Sequence, residues 1–190
     1  GILKSIRPAW SFSGLLTLDG FKEVLIKHIP HQSFEGLQIP LIVAATDLLK
    51  GAVCYFSEGN LITPVVASSC IPALFNPVAY QESIYIDGGI VDNLPVRPLV
   101  GNCDFVIAVH TNPIGKKVDI KNMREVTERS LLLAINMNSG ISKSLSNLVI
   151  EPPELANYTT LDISKAKEIF DIGYLYIKQN QQILQPIFQA

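Results

Sequence analysis

Apolar positions fall along this chain in two rhythms, a helical spacing and short unbroken runs, and the two alternate. Leu18, Phe21, Leu25, Ile26 and Ile29 keep helical spacing over residues 18–29, with Thr17 placed to cap the helix and Pro30 to stop it. After Pro40 the run Leu41-Ile42-Val43-Ala44-Ala45-Thr46-Asp47 is continuous, the pattern of a strand buried on both faces of a parallel sheet. Gly51 marks a turn, and Ala52 to Phe56 predicts a second strand. Thr63-Pro64 predicts a helix start, Thr63 capping and Pro64 first in the helix, which runs through Val65 to Cys70 until Pro72 breaks it.

Pro77 and a turn over Tyr80 to Ser83 predict a hairpin whose second arm, Ser83 to Ile86, ends in Asp87. Phe105-Val106-Ile107-Ala108-Val109 is the clearest candidate for a central strand. Asn122 opens an Asn-x-x-Glu capping box with Glu125, ahead of a helix apolar on much of its circumference. Leu148-Val149-Ile150 reads as a short strand closed by Pro152-Pro153. A last helix from near Ser164 places Ala166, Ile169, Phe170, Gly173, Tyr174 and Ile177 on one face. Strands alternating with helices predict α/β layers around a mostly parallel sheet.

Composition narrows the class. The 190 residues suit a single domain, 1–190, with a real core. Apolar residues are 48% of the chain and charged ones 17%, so it is globular and rather hydrophobic. A formal charge of −2 with scattered cations leaves no basic footprint for nucleic acid. No apolar stretch is long enough to span a bilayer. Cys54, Cys70 and Cys103 are odd in number and far apart, which predicts reduced thiols in a cytoplasmic protein rather than a disulfide framework. No CxxC or His/Cys pairing suggests a metal, and no cofactor is implied. Gly1-Ile2-Leu3-Lys4 has neither a start methionine nor a signal pattern, so the chain reads as beginning within a longer protein.

The chemistry concentrates at Tyr85-Ile86-Asp87-Gly88-Gly89, an acid at a strand end followed by two glycines. The glycines permit positive φ and a close backbone approach. A carboxylate held there can serve as general base to a nucleophile within reach. Asp-Gly is also a common turn pair, and on the dipeptide alone the turn is the commoner meaning.

The surroundings favour chemistry. Ala67-Ser68-Ser69-Cys70-Ile71-Pro72-Ala73-Leu74-Phe75-Asn76-Pro77-Val78 precedes the acid, and Ile90-Val91-Asp92-Asn93-Leu94-Pro95-Val96 follows it. Together they resemble the patatin-like phospholipase family, where a helix reading A-S-x-x-I-P-x-x-F-x-P leads to a strand ending in D-G-G or D-G-A. Leu41 to Leu48 is similar to the family's strand ending in A-T-D-L, and Asp104 to Val109 to the strand after D-G-G. Leu148 to Pro153, with Leu161-Asp162, is similar to the tail of its bacterial branch. The resemblance runs from about Phe12 to Tyr174, in the family's order.

That resemblance implies a three-layer α/β/α fold, here incomplete at its N-terminal side, with an unpaired sheet edge near Leu41 to Thr46. It implies a lipid acyl hydrolase in which Asp87 is the acid/base of a Ser–Asp dyad and Gly88 and Gly89 form the supporting turn. The substrate would be a phospholipid, lysophospholipid or other fatty acyl ester, met at a membrane surface by peripheral contact. The family's glycine-rich oxyanion loop and G-x-S-x-G elbow are missing, and are expected upstream of Gly1. Ser68 and Ser69 sit in a helix without flanking glycines, so they read as packing residues.

Other residues carry weaker expectations. His110 closes the strand Phe105 to Val109, where a Ser-His-Asp triad is an alternative that the resemblance does not require. His28 and His31 flank Pro30 and read as surface residues. Asp47 reads as a turn cap, and Asp92 and Asn93 as local backbone bonding that steadies Asp87. Trp10 and Phe12 read as ordinary packing, with an apolar lip as the alternative. A non-catalytic module binding acyl chains or a protein is the alternative function. A nucleotide-binding domain would need a phosphate loop, and the chain has none.

Overall fold

The computed structural model describes residues 7–11, 14–116, 119–158 and 163–188. The chain divides into two compact units, Gly1–Asn93 and Leu94–Ala190. Phe12, Leu161 and Asp162 lie outside the described residues, as does the side chain of Trp10.

The first unit opens with a small antiparallel pair, β1 (Arg7–Ser11) and β2 (Gly14–Thr17), which the sequence pattern did not predict. Helix α1 (Asp19–His28) follows; its N-cap is Leu18, so Thr17 is not the cap, and Thr17 Oγ1 instead accepts from the Asp19 N–H at 3.3 Å in the turn just before the helix. The main sheet is built from β3 (Val43–Asp47), β4 (Ala52–Phe56), β5 (Val78–Tyr80) and β6 (Ser83–Asp87). Helix α2 (Ile62–Ser68) lies between β4 and β5 in the chain. Its first turn is capped by Asn60, whose Oδ1 accepts from Thr63 N–H at 2.8 Å, so Thr63 is not the cap. The helix also ends before Cys70, with Ser69 as its C-cap.

This sheet corrects the expectation of mostly parallel strands. Its order is β4-β3-β6-β5, and every pair is antiparallel. The links decide it. Residues 48–51, with Gly51 at φ +64°, turn β3 straight back into β4. Gln81 and Glu82, at φ +44° and +63°, turn β5 back into β6 as a primed hairpin turn does. Links this short can only return a strand antiparallel, because a parallel neighbour needs a crossover of about a dozen residues or more.

The expected unpaired edge at Leu41 to Thr46 is also corrected. Strand β3 is paired on both sides, by β4 and by β6, and all five of its residues are buried. After α2 the chain returns β6 to its free side, so the unit supplies both neighbours itself. The edges among the described residues are β4 and β5.

Paired residues on antiparallel strands share a face. Ala45 is paired with Cys54 and with Asp87, and with Ala67 and Tyr85 it forms a cluster under α2. Ala45 at 0% and Ala67 at 1% exposure leave room for helix and sheet to approach closely. Leu18, Ile62, Val66, Cys70 and Phe75 make the layer above, joining α1 to α2. Each such buried aliphatic or aromatic side chain contributes about 1.5–3 kcal/mol.

The second unit holds the one parallel pair among the described residues. Strands β7 (Ile107–Val109) and β8 (Leu148–Ile150) are joined through a long helix whose length permits the crossover. That helix starts at Met123 and ends at Ser144, and its predicted capping box is present. Asn122 Oδ1 accepts from Glu125 N–H at 3.0 Å, and Asn122 Nδ2 donates to Glu125 Oε1 at 3.0 Å. Strand β7 is shorter and less buried than the central strand expected there. Val106 N–H is taken by the Asn147 side chain at 2.8 Å, and Ile107 and Val109 are exposed while Ala108 is buried. In the last helix, Ala166–Gln179, the predicted core face remains open, with Phe170 and Tyr174 exposed and their rings stacked at 6.4 Å.

Candidate active site

Strand β6 delivers Asp87 to its own C-terminal end, opposite Ala45 of β3. There the strand stops and one turn of helix, α3 (Gly89–Asp92), begins. Three bonds fix the Asp87 backbone and carboxylate. Its N–H donates to the Cys70 carbonyl at 3.0 Å, and its carbonyl accepts the Thr46 hydroxyl at 2.9 Å. Its Oδ1 accepts from Gly89 N–H at 2.8 Å.

The glycines serve space rather than unusual φ. Gly88 has φ −65°, and Gly89 too lies outside the left-handed region. A Cβ on Gly88 would stand 2.3 Å from the Ala44 carbonyl oxygen, a contact no side chain can make. One on Gly89 would meet Asn93 Oδ1 at 2.9 Å and Asp87 Oδ1 at 3.1 Å. The expectation of positive φ is therefore corrected, and that of close backbone approach is what the structure shows.

Burial pushes the Asp87 carboxyl above the ordinary aspartate range, and the single bond from Gly89 N–H opposes it without winning. The neighbouring Cys70 thiol is pushed up to about 12, by burial first and by the Asp87 carboxylate second. It stays a thiol and donates to the Val66 carbonyl at 3.2 Å, which makes it packing and not a nucleophile. Ser69 Oγ turns back to the Val65 carbonyl at 3.0 Å, in keeping with a packing role.

Asp92 differs from its expected role. Its carboxylate is buried and accepts the hydroxyl of Tyr55, on β4, rather than local backbone. Asp47 caps a turn as expected, accepting from Leu49 N–H and Lys50 N–H at 3.0 Å each. His28 and His31 are exposed. His110, in the second unit, is 2% exposed and its Nδ1 lies 2.6 Å from Glu151 Oε1, an oxygen that also accepts Lys143 Nζ at 2.5 Å. Burial alone would push Glu151 up, but the Lys143 and His110 bonds hold it below the usual carboxylate range. Sequence reasoning missed Tyr55, Glu151 and Lys143. Each is joined to its partner by strand register or a long helix, which no local motif records. Among the described residues no three His, Cys, Asp or Glu side chains come together as metal ligands.

An acid on a spatially enforced glycine turn, after a helix and before a short Asn-Leu-Pro segment, has counterparts in known sequences. The profile described as patatin-like phospholipase matches residues 2–100, more than half of the chain. The chain belongs to the patatin-like phospholipase family. Among its relatives is an NTE family protein of Mycobacterium bovis, 35% identical over 112 residues, 58% of this chain and 31% of that protein. Lysophospholipase NTE1 of Meyerozyma guilliermondii is 30% identical over 189 residues, 86% of this chain and 12% of that protein. Its namesake from Kluyveromyces lactis is 26% identical over 202 residues, 93% of this chain and 14% of that protein. The chain thus spans less than a third of the length of these patatin-like relatives.

Proposed function

We propose that this chain is the C-terminal part of a patatin-like hydrolase domain that cleaves fatty acyl esters of phospholipids or lysophospholipids. Asp87 is the base, and the nucleophilic serine and oxyanion loop lie in sequence ahead of Gly1. The carrying observation is the setting of Asp87. Its carboxylate is half-buried, accepts from one N–H among the described residues, and is held on a turn that tolerates no side chain at Gly88. A raised proton affinity brings it closer to the ideal for general-base work near neutral pH. The relatives named lysophospholipase support the choice of substrate class.

In the first step Asp87 takes the serine proton while the serine oxygen bonds to the acyl carbonyl carbon. The tetrahedral intermediate collapses with loss of the alcohol, which receives that proton from Asp87. Water then attacks the acyl-serine, giving its proton to Asp87, and the fatty acid leaves as the serine is reprotonated. No metal or cofactor takes part. No described helix is long and apolar enough to cross a membrane, and the reading places the protein in the cytoplasm with peripheral contact to lipid.

The test is Asp87→Asn in the complete protein, assayed on lysophospholipid and short acyl esters. Hydrolysis is expected to disappear with the fold intact. A soluble, folded variant keeping more than a few per cent of kcat would refute the dyad, and no turnover by the wild type would favour a non-catalytic acyl-binding module.

A further inference from the structure

Tyr55 and Asp92 form a tie that neither the family motif nor the proposed chemistry requires. Tyr55 is paired with Ala44 across β4 and β3, so its side chain leaves the sheet on the face opposite to Ala45 and Asp87. Its hydroxyl nonetheless meets Asp92 Oδ2, thirty-seven residues on, at the end of α3. The turn of α3 therefore passes from the face that carries the Asp87 carboxylate to the face that carries Tyr55.

The tie is mechanically short. Asp92 N–H donates to the Gly88 carbonyl at 2.9 Å, and Val91 N–H donates to the same oxygen at 3.2 Å. Fixing Asp92 thus fixes the Gly88–Gly89 peptide, one residue on from Asp87, whose Gly89 N–H is the donor to the Asp87 carboxylate. Gly88 in turn lies against Ala44, the strand partner of Tyr55. Strand β4, strand β3 and the turn after Asp87 are closed into one ring of contacts. Asp92 is 7% exposed, and a carboxylate that deep needs a donor. A hydroxyl-to-carboxylate bond is among the stronger ones available.

We propose that Tyr55, acting through Asp92, is a positioning residue for Asp87: it holds the turn so that the carboxylate is presented at bonding distance from the serine. This rests on the reading of Asp87 as the base. A base displaced by even a fraction of an ångström loses rate without losing substrate affinity.

The experiment compares Tyr55→Phe, Asp92→Asn, the double variant Tyr55→Phe/Asp92→Leu and Asp87→Asn, all in the complete protein, by kcat, KM and thermal unfolding. Tyr55→Phe is expected to lower kcat roughly ten-fold with KM within about two-fold. The double variant removes both polar partners, so its melting temperature should return toward the wild type while kcat stays low. Asp92→Asn keeps an acceptor for the hydroxyl and should lose less than Tyr55→Phe. Wild-type kcat in a folded Tyr55→Phe protein would overturn the inference, as would kcat recovering with stability in the double variant. Activity surviving Asp87→Asn would sink the dyad reading itself; activity lost there and intact in Tyr55→Phe would remove only the positioning role.

Discussion

Two aspartates close neighbouring strands of the same sheet, at opposite ends, and they have opposite surroundings. Asp47 ends β3 and Asp87 ends β6, in a pair whose register sets Ala45 against Asp87 and Asp47 against Tyr85. Asp47 receives the Ser83 hydroxyl at 2.5 Å, two backbone N–H groups, and Lys50 Nζ at 3.5 Å. The Ser83 bond leads in holding it below the ordinary aspartate range, against the upward push of burial. Among the described residues the Asp87 carboxylate receives the Gly89 N–H alone, and burial wins. The three donors on Asp47 all meet at Oδ1, while Oδ2 has only the Lys50 ion pair among the described residues, and this carboxylate is held in its charged form as a structural group. A carboxylate left short of donors keeps lone pairs for a proton, and the difference lies in the donor count rather than in the place on the strand.

Exchange of each acid for its amide should give the widest separation. Asp87→Asn is expected to cut kcat by about 10²–10⁴-fold, the range of a general base, without lowering the melting temperature. Asp47→Asn should lower the melting temperature while the folded protein keeps its kcat. A folded but inactive Asp47→Asn variant would erase the distinction. The glycines beside the two acids give the next contrast. Gly88→Ala drives a methyl into the Ala44 carbonyl and should cost roughly 3 kcal/mol in urea denaturation. Gly51→Ala faces open space, and only its φ of +64° is penalised, at about 1–2 kcal/mol. Equal costs would show that the turn at Gly88 yields.

Acid titration of stability is the smallest of these effects and carries a sign. Asp87 has a raised folded value, so its favourable contribution is full below about 3.9, the unfolded value, and is lost as pH rises through the folded one. Asp47 has a lowered folded value, so its contribution is present above about 3.9 and is lost as pH falls through the folded one. At neutral pH Asp87→Asn should therefore be more stable than the wild type and Asp47→Asn less stable. Both differences should shrink toward about pH 3 in urea titrations. Differences of the same sign would mean that the donor counts do not control the two acids.

Local chemistry made much of this legible in advance. The Asn122–Glu125 box, the Gln81-Glu82 hairpin turn and the strand ending at Asp87 each depend on residues a few positions apart. What escaped depends on partners far away in sequence. A continuous apolar run such as Val43 to Thr46 registers burial on both faces, and an antiparallel interior strand under α2 satisfies it as well as a parallel one. Gly88 is a glycine because of Ala44, and nothing near position 88 announces that neighbour. Glu151 finds His110 only because β7 and β8 run side by side, which sets the residues after Val109 and Ile150 together.

The order of the main sheet also bears on how it assembles. Its outer pairs, β3 with β4 and β5 with β6, close over the shortest links, 48–51 and 81–82. The central pair joins those hairpins, with Thr46 reaching Asp87 across 41 residues. Loop-closure entropy grows with that separation, so each hairpin can zip early while the seam between them waits for α2 to bring them together. Asp87 sits at that seam. On this ordering the acid is among the last groups to be set, together with the buried cluster of Ala45, Ala67 and Tyr85 that the same seam closes.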